Sequence, residues 1–194
     1  LPSVPPYWQG RFSNGPVWVE LLASDLGLSM THGTGTAAGN NRAYGGSQSG
    51  QGYSYILLPN TGTQINNYLA NVKSSFNNSD LVVIWSGGND FLYGAGDPNL
   101  SHANTVSHIE EVIQANAQNI LVPNLPPLDL TPEVRNRTSS EQQEIKSDIM
   151  SYNSLLYNSI ASLTAQHGVN IIEADTHSMF LEYLGNSSFL GLTN

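Results

Sequence analysis

Leu81-Val82-Val83-Ile84-Trp85-Ser86-Gly87-Gly88-Asn89-Asp90 joins the most hydrophobic run of the chain to a glycine pair and two short polar side chains. An unbroken apolar run rich in β-branched residues is the pattern of a parallel strand covered on both faces, here expected over 81–85. Two comparable runs follow at 119–123 and 169–173, and helix-length segments separate the three. Val106, Ile109, Val112, Ile113 and Ala117 mark a helix beginning near Ser101. Ile145, Ile149, Tyr152, Leu155, Leu156, Ile160 and Leu163 mark a longer one, with Ser140 and Gln143 as its capping box and Gly168 as its stop. Strands alternating with helices predict βαβ units and an α/β fold with a parallel sheet.

Working outward, Pro16 stands in the first turn of a helix carrying Val17, Trp18, Leu21, Leu22 and Leu26, which Gly27 closes. Residues 42–46 read as a short strand entering a glycine turn, 47–62 as a Gly/Ser/Gln-rich loop, and 63–77 as a helix bearing Ile65, Tyr68, Leu69, Val72 and Phe76. Residues 124–137 read as a proline-rich loop and 178–184 as a short final helix. There is no internal repeat and no interdomain linker, so residues 1–194 read as a single domain.

Composition narrows the function. With 194 residues the chain is long enough for a sizeable core. Fifteen acidic against six basic side chains give a net charge of −9 with no Lys/Arg cluster, which excludes nucleic acid as a partner. The apolar runs are too short for an integral membrane segment, and no cysteine is present to build a disulfide framework. Polarity comes instead from 23 Ser and 21 Asn. Asn77, Asn99, Asn136 and Asn186 each head a glycosylation sequon, which together with the few lysines fits an extracellular, secreted eukaryotic glycoprotein. His32, His102, His108, His167 and His177 are scattered, and no spacing among them suits a metal.

In open parallel sheets ligands bind at the carboxyl ends of strands. Three such ends are candidates: Gly45-Gly46-Ser47, Ser86-Gly87-Gly88-Asn89-Asp90 and Asp175-Thr176-His177. Glycines there expose backbone N–H groups, and Asn89 offers an amide to developing negative charge. Each motif alone also reads as an ordinary turn or a surface hydrogen bond.

Arg11-Phe12-Ser13-Asn14-Gly15-Pro16-Val17-Trp18, Asn41-Arg42-Ala43-Tyr44-Gly45-Gly46, Gly87-Gly88-Asn89-Asp90-Phe91-Leu92 and 119–128 follow one another in an order that resembles the GDSL-type (SGNH) hydrolases, in particular their secreted esterase and acetylesterase branch. The likeness extends to Phe189-Leu190-Gly191-Leu192-Thr193-Asn194. It implies a three-layer α/β/α, flavodoxin-like fold with strand order 2-1-3-4-5, and a serine esterase mechanism that needs no cofactor. It also implies that Gly46 and Asn89 donate to the oxyanion of a small ester, either an acyl ester or an acetylated saccharide. Tyr93, in the loop expected after Asn89, is a candidate substrate-binding residue.

Two departures stand out. Neither the Gly-Asp-Ser of the family's nucleophile block nor its Asp-x-x-His occurs, and Asp175 and His177 have the wrong spacing. The expectation is a fragment of a longer hydrolase, lacking the central first strand and the catalytic Ser, Asp and His, with 81–85 left as an unpaired edge. Its partners would then include the missing segments of its own chain. The alternative is a non-catalytic module that binds glycan or lipid in the Gly46/Asn89 cleft; a flavin or nucleotide domain is disfavoured because no phosphate loop follows a strand.

Overall fold

Three short strands lie side by side in the order in which the chain visits them. The computed structural model describes residues 5–34, 37–54, 56–94 and 96–186; the closing 189–194 of the family-like sequence lie outside the described residues. β1 (Leu81–Val83) pairs with β2 (Asn119–Pro123), and β2 pairs with β3 (Asn170–Ala174). Both pairings are parallel: Leu81 stands opposite Asn119, Val83 opposite Leu121, and on the far side Pro123 opposite Ala174. Parallel neighbours require long crossovers, and helices supply them, so the architecture is the α/β fold expected.

β2 is the buried strand that its sequence predicts, with Ile120 and Val122 closed off from solvent. The expectation for 81–85 is corrected. Its ladder covers three residues, all half-buried, because β2 is the only strand beside it among the described residues. Ile84 adds one more bond, its N–H donating to the Leu121 carbonyl at 3.0 Å, before the chain turns away. The opposite edge of β1 carries no strand among the described residues.

The helices are α1 (Trp18–Asp25), α2 (Thr61–Asn71), α3 (Gly88–Tyr93), α4 (Pro98–Gln114), α5 (Pro132–Arg135), α6 (Ser139–His167) and α7 (Thr176–Gly185). The core forms where α4 and α6 pack on each other and α6 on β3. Ile109 and Val112 of α4 meet the α6 stripe of Ile145, Ile149, Tyr152, Leu156, Ile160 and Leu163, whose spacing of three and four residues keeps one face inward. At the N-terminal end the Glu20 carboxylate accepts from both the Arg11 guanidinium and the Val17 N–H, tying the two ends of the motif 11–18 to the start of α1.

Several boundaries differ from the sequence reading. Residues 42–46 form no strand; Asn41 makes an isolated parallel bridge with His32, and the glycines form a turn. α2 begins at Thr61 and stops at Asn71, because beyond it the Phe76 N–H turns to the Ala115 carbonyl at 2.7 Å and Lys73 pairs with Asp80. α4 starts earlier than Ser101, with the Asp97 carboxylate accepting from the N–H groups of Asn99 and Leu100. Residues 88–93, read as a turn, form a helix entered through Gly87 at φ +105°. Residues 124–137 include a 3-10 turn at Leu128–Leu130 and α5.

The capping box of α6 lies two residues ahead of Ser140. Thr138 is the extended N-cap residue, its hydroxyl accepting from the Glu141 N–H at 3.3 Å while the Glu141 carboxylate accepts from the Thr138 N–H at 2.9 Å. A carboxylate accepts more strongly than the Gln143 amide, which decides the register. Replacing Thr138→Ala will lower the unfolding free energy by about 1 kcal/mol in chemical denaturation. Ser140→Ala will leave it nearly unchanged; the opposite order would return the box to Ser140.

Candidate active site

The carboxyl ends of β1 and β2 open into a cavity of about 230 Å³. Its wall combines loop residues Tyr44 and Ser47, Gln64 of α2, Trp85 to Asn89 after β1, and Leu125 and Pro126 after β2. This is where a parallel sheet places its ligands.

Each wall segment is held by named bonds. Gly46 sits at φ +91°, and a β-carbon there would come within 3.0 Å of Ile56, so this turn requires glycine. The next residue, Ser47, donates its hydroxyl to the Pro59 carbonyl at 2.8 Å and receives the Gln64 amide at 2.9 Å. Gly87 turns the chain from β1 into α3. Beside it the Ser86 hydroxyl bonds Thr61 at 2.8 Å, and the Ser86 carbonyl accepts from the buried Tyr152 hydroxyl, which also meets Thr105 at 2.9 Å. Burial pushes the Tyr152 phenol well above its ordinary range, so it stays neutral.

Asn89 is one of the polar residues lining this space, with Ser47, Thr61, Gln64 and Ser86. Its Nδ2 donates to the Ser47 carbonyl at 2.8 Å. An amide nitrogen has two hydrogens, and this bond uses one of them. Asn89 thus meets the loop next to Gly46 through Ser47, and Gly46 itself does not line the cavity. Tyr93 lies elsewhere: it stands one helical turn beyond Asn89 on α3, 49% exposed, and does not line the cavity. The segment expected as a loop is helical, so Tyr93 closes α3.

The third strand end has a structural task. The Asp175 carboxylate caps α7 by accepting from the Ser178 N–H at 3.1 Å and also accepts from the Asn124 amide at 2.9 Å. His177 donates its backbone N–H to Asn124 Oδ1 at 2.9 Å. The buried Asn124 thereby ties β2 to α7, and its carbonyl receives the Trp85 indole N–H at 3.1 Å. Neither Asp175 nor His177 lines the cavity, and no histidine, aspartate or glutamate does so among the described residues. The cavity holds hydrogen-bond donors without a general base. Among the described residues no cluster of His, Asp or Glu forms a metal-ligand set.

Sequence reasoning gave no joint role to Ser49, Asp90 and His108, which the structure brings together. Ser49 is fully buried, donating its N–H and its hydroxyl to the Asp90 carboxylate at 2.8 and 2.6 Å. The available signal was the row Ser101, Asn104, Thr105 and His108, polar residues at helical spacing on α4, three of them buried.

The fold is α/β, and the cavity lies at the carboxyl ends of its parallel strands. Residues 4–190 match the GDSL-like Lipase/Acylhydrolase family, and the chain belongs to it. It is similar to the Phosphatidylcholine-sterol acyltransferase of Aeromonas hydrophila, at 32% identity over 200 residues, covering 100% of this chain and 57% of the relative. It also resembles the thermolabile hemolysin of Vibrio parahaemolyticus, 29% identical over 93% of this chain and 41% of the relative. A third relative, the secreted effector protein SseJ of Salmonella typhimurium, is 29% identical over 97% of this chain and 45% of that protein. The chain thus spans about half the length of the relatives it matches. No helix among the described residues is long and apolar enough to cross a membrane.

Two neighbouring carboxyls at the end of β3 have opposite pH dependences. Hydrogen bonds from Ser178 and then Asn124 hold the Asp175 pKa below its usual value, whereas burial raises that of Glu173 against the Asn124 bond. The stability from Asp175 is complete above about pH 4 and is lost as pH falls through its depressed folded value. The Glu173 penalty is present above its raised folded value and is relieved as pH falls through it. Thermal unfolding against pH will therefore show Asp175→Asn flattening the acid limb and Glu173→Gln stabilising the neutral side.

Proposed function

We propose that these residues form the oxyanion-binding part of a serine ester hydrolase. The Gly46 N–H and the Asn89 amide receive the negative charge that develops on the acyl carbonyl oxygen. The observation that carries this reading is the Asn89 amide, fixed at the cavity by its one bond to the Ser47 carbonyl. A donor held in place before reaction needs no reorganisation as charge appears, the condition for transition-state stabilisation.

The nucleophilic serine, its histidine and its acid come from sequence beyond these 194 residues. Support comes from the absence of Gly-Asp-Ser and Asp-x-x-His and from a cavity wall without an acid or base. The free edge of β1 is where a strand carrying the nucleophile would add, bringing its serine to the same strand ends as Asn89. Ser47 does not substitute for it, because its hydroxyl proton is committed to the Pro59 carbonyl.

For substrate we propose a short acyl ester, such as an acetyl ester of a small alcohol or saccharide. The cavity of about 230 Å³ falls below the ~300–1,000 Å³ of ordinary ligand pockets. We place the protein outside the cell, in keeping with a relative named as a secreted effector and with the exposure of Asn77, Asn99, Asn136 and Asn186.

In the full natural chain, Asn89→Ala will lower kcat for p-nitrophenyl acetate by about 10²–10³ with little change in KM; a change in KM alone refutes the oxyanion role. p-Nitrophenyl palmitate will be the poorer substrate, and a preference for it overturns the acetyl reading. The cavity's lack of a base also favours a second reading, a binding module without chemistry. A fluorophosphonate probe decides between them: stoichiometric labelling of a serine outside these 194 residues supports the hydrolase, and an unlabelled full chain supports the module.

A further inference from the structure

α4 turns a polar face toward the loop that carries Gly46. A buried helix stripe is ordinarily apolar, because a polar group loses its water on burial and must be repaid with a hydrogen bond. Here Ser101, Thr105 and His108 are buried, and Asn104 stands among them. Three of the four converge on the same pair of residues. The Asn104 amide donates to the Ser49 hydroxyl oxygen at 3.0 Å, Ser101 donates to the Asp90 carboxylate at 3.2 Å, and His108 Nε2 meets the Ser49 carbonyl at 2.6 Å.

Facing a carbonyl, His108 Nε2 must carry the proton. Its Nδ1 is then an acceptor, and it is the buried side-chain atom without a partner among the described residues. The histidine thus tolerates an unsatisfied ring nitrogen while it makes the bond to Ser49. Gly62 allows it to sit there, since a β-carbon at Gly62 would lie 2.7 Å from His108 Cε1. With Asp90 accepting from its N–H and hydroxyl and His108 donating to its carbonyl, Ser49 has no group free to shift.

The location of this knot gives it a role. Ser49 follows Gly46 by three residues in the loop, and Asp90 directly follows Asn89 in α3. The two oxyanion donors belong to separate segments that no strand ladder joins. We propose that Asp90, Ser49 and His108 form a positioning clamp that sets the separation and angle between Gly46 and Asn89. The clamp rests on the oxyanion reading above and deepens it. Donors must sit within about 2.7–3.1 Å of one oxygen position, and a misplacement of about 1 Å costs about 10²-fold in rate. All three are positioning residues, for none of them lines the cavity.

The test uses the full natural chain and p-nitrophenyl acetate. His108→Ala and Asp90→Asn will each lower kcat by about 10²-fold with little change in KM. His108→Gln, whose amide N–H reaches for the same carbonyl, will recover most of the loss. Added to Asn89→Ala, His108→Ala will cause little further loss, because the donor it positions is already gone. A purely structural histidine predicts instead that kcat follows the folded fraction, that glutamine gives no rescue, and that losses multiply in the double variant; any of these overturns the clamp. If His108→Ala fails to fold, Ser101→Ala removes one Asp90 bond and must show a smaller kcat loss of the same kind, and its absence overturns the clamp. An unchanged kcat in Asn89→Ala refutes the oxyanion reading and the clamp with it. A loss in Asn89→Ala without loss in the His108 and Asp90 variants refutes the clamp alone.

Discussion

The carboxylate of Asp90 holding the N–H and hydroxyl of Ser49 is the contact on which the cavity depends. It joins residues 41 positions apart in sequence and does so without help from the sheet. Charge-assisted bonds are shorter and stronger than neutral ones, and two from one carboxylate fix orientation as well as distance. Loosening it would free a loop whose remaining ties are neutral bonds around Ser47, Asn60 and Gln64. The loop is otherwise irregular, with an isolated bridge between Tyr53 and Pro59 as its nearest approach to regular structure. Rigidity here comes from side chains rather than from backbone ladders.

Around that contact the wall is built from two polar systems under one cavity. One runs from Thr105 through the Tyr152 hydroxyl to the Ser86 carbonyl and fixes the turn out of β1. The other centres on Asn124, which accepts from the His177 N–H and gives its amide to Asp175. Between them the Trp85 indole, bonded to the Asn124 carbonyl, couples the end of β1 to the end of β2 beyond the last ladder bond. A short sheet can carry a defined site in this way, since the strand ends are tied where the ladder has stopped.

What the sequence made legible was whatever depends on periodicity. β2 and the long helix α6 agree with the apolar pattern to within a residue or two, because burial selects both. Boundaries set by one competing bond were not legible. Thr138 outcompeted Ser140 as the N-cap through the Glu141 carboxylate, and α2 ended early because Phe76 had a partner in Ala115. The helix at 88–93 was hidden because its entry depends on a positive φ at Gly87, which a Gly-Gly pair advertises equally as a turn. Asn89, singled out by motif order, lines the cavity, whereas the His108–Ser49 bond joins residues 59 apart and has no local pattern to reveal it.

The polar face of α4 is hard to explain as a stability device. Apolar side chains at Ser101, Thr105 and His108 would extend the contact that Ile109 and Val112 already make, each buried aliphatic side chain adding about 1.5–3 kcal/mol. Hydrogen bonds in their place contribute about 0.5–1.5 kcal/mol net, and the unpartnered Nδ1 of His108 subtracts from that. Directionality is what the polar choice adds. An apolar contact between α4 and the loop would hold the two together while letting the loop slide, since dispersion is insensitive to angle. Bonds to the N–H, hydroxyl and carbonyl of one serine forbid sliding in every direction. A binding surface that only needed shape has little use for such a constraint, whereas the oxyanion site proposed above, with two donors aimed at one oxygen, would require it.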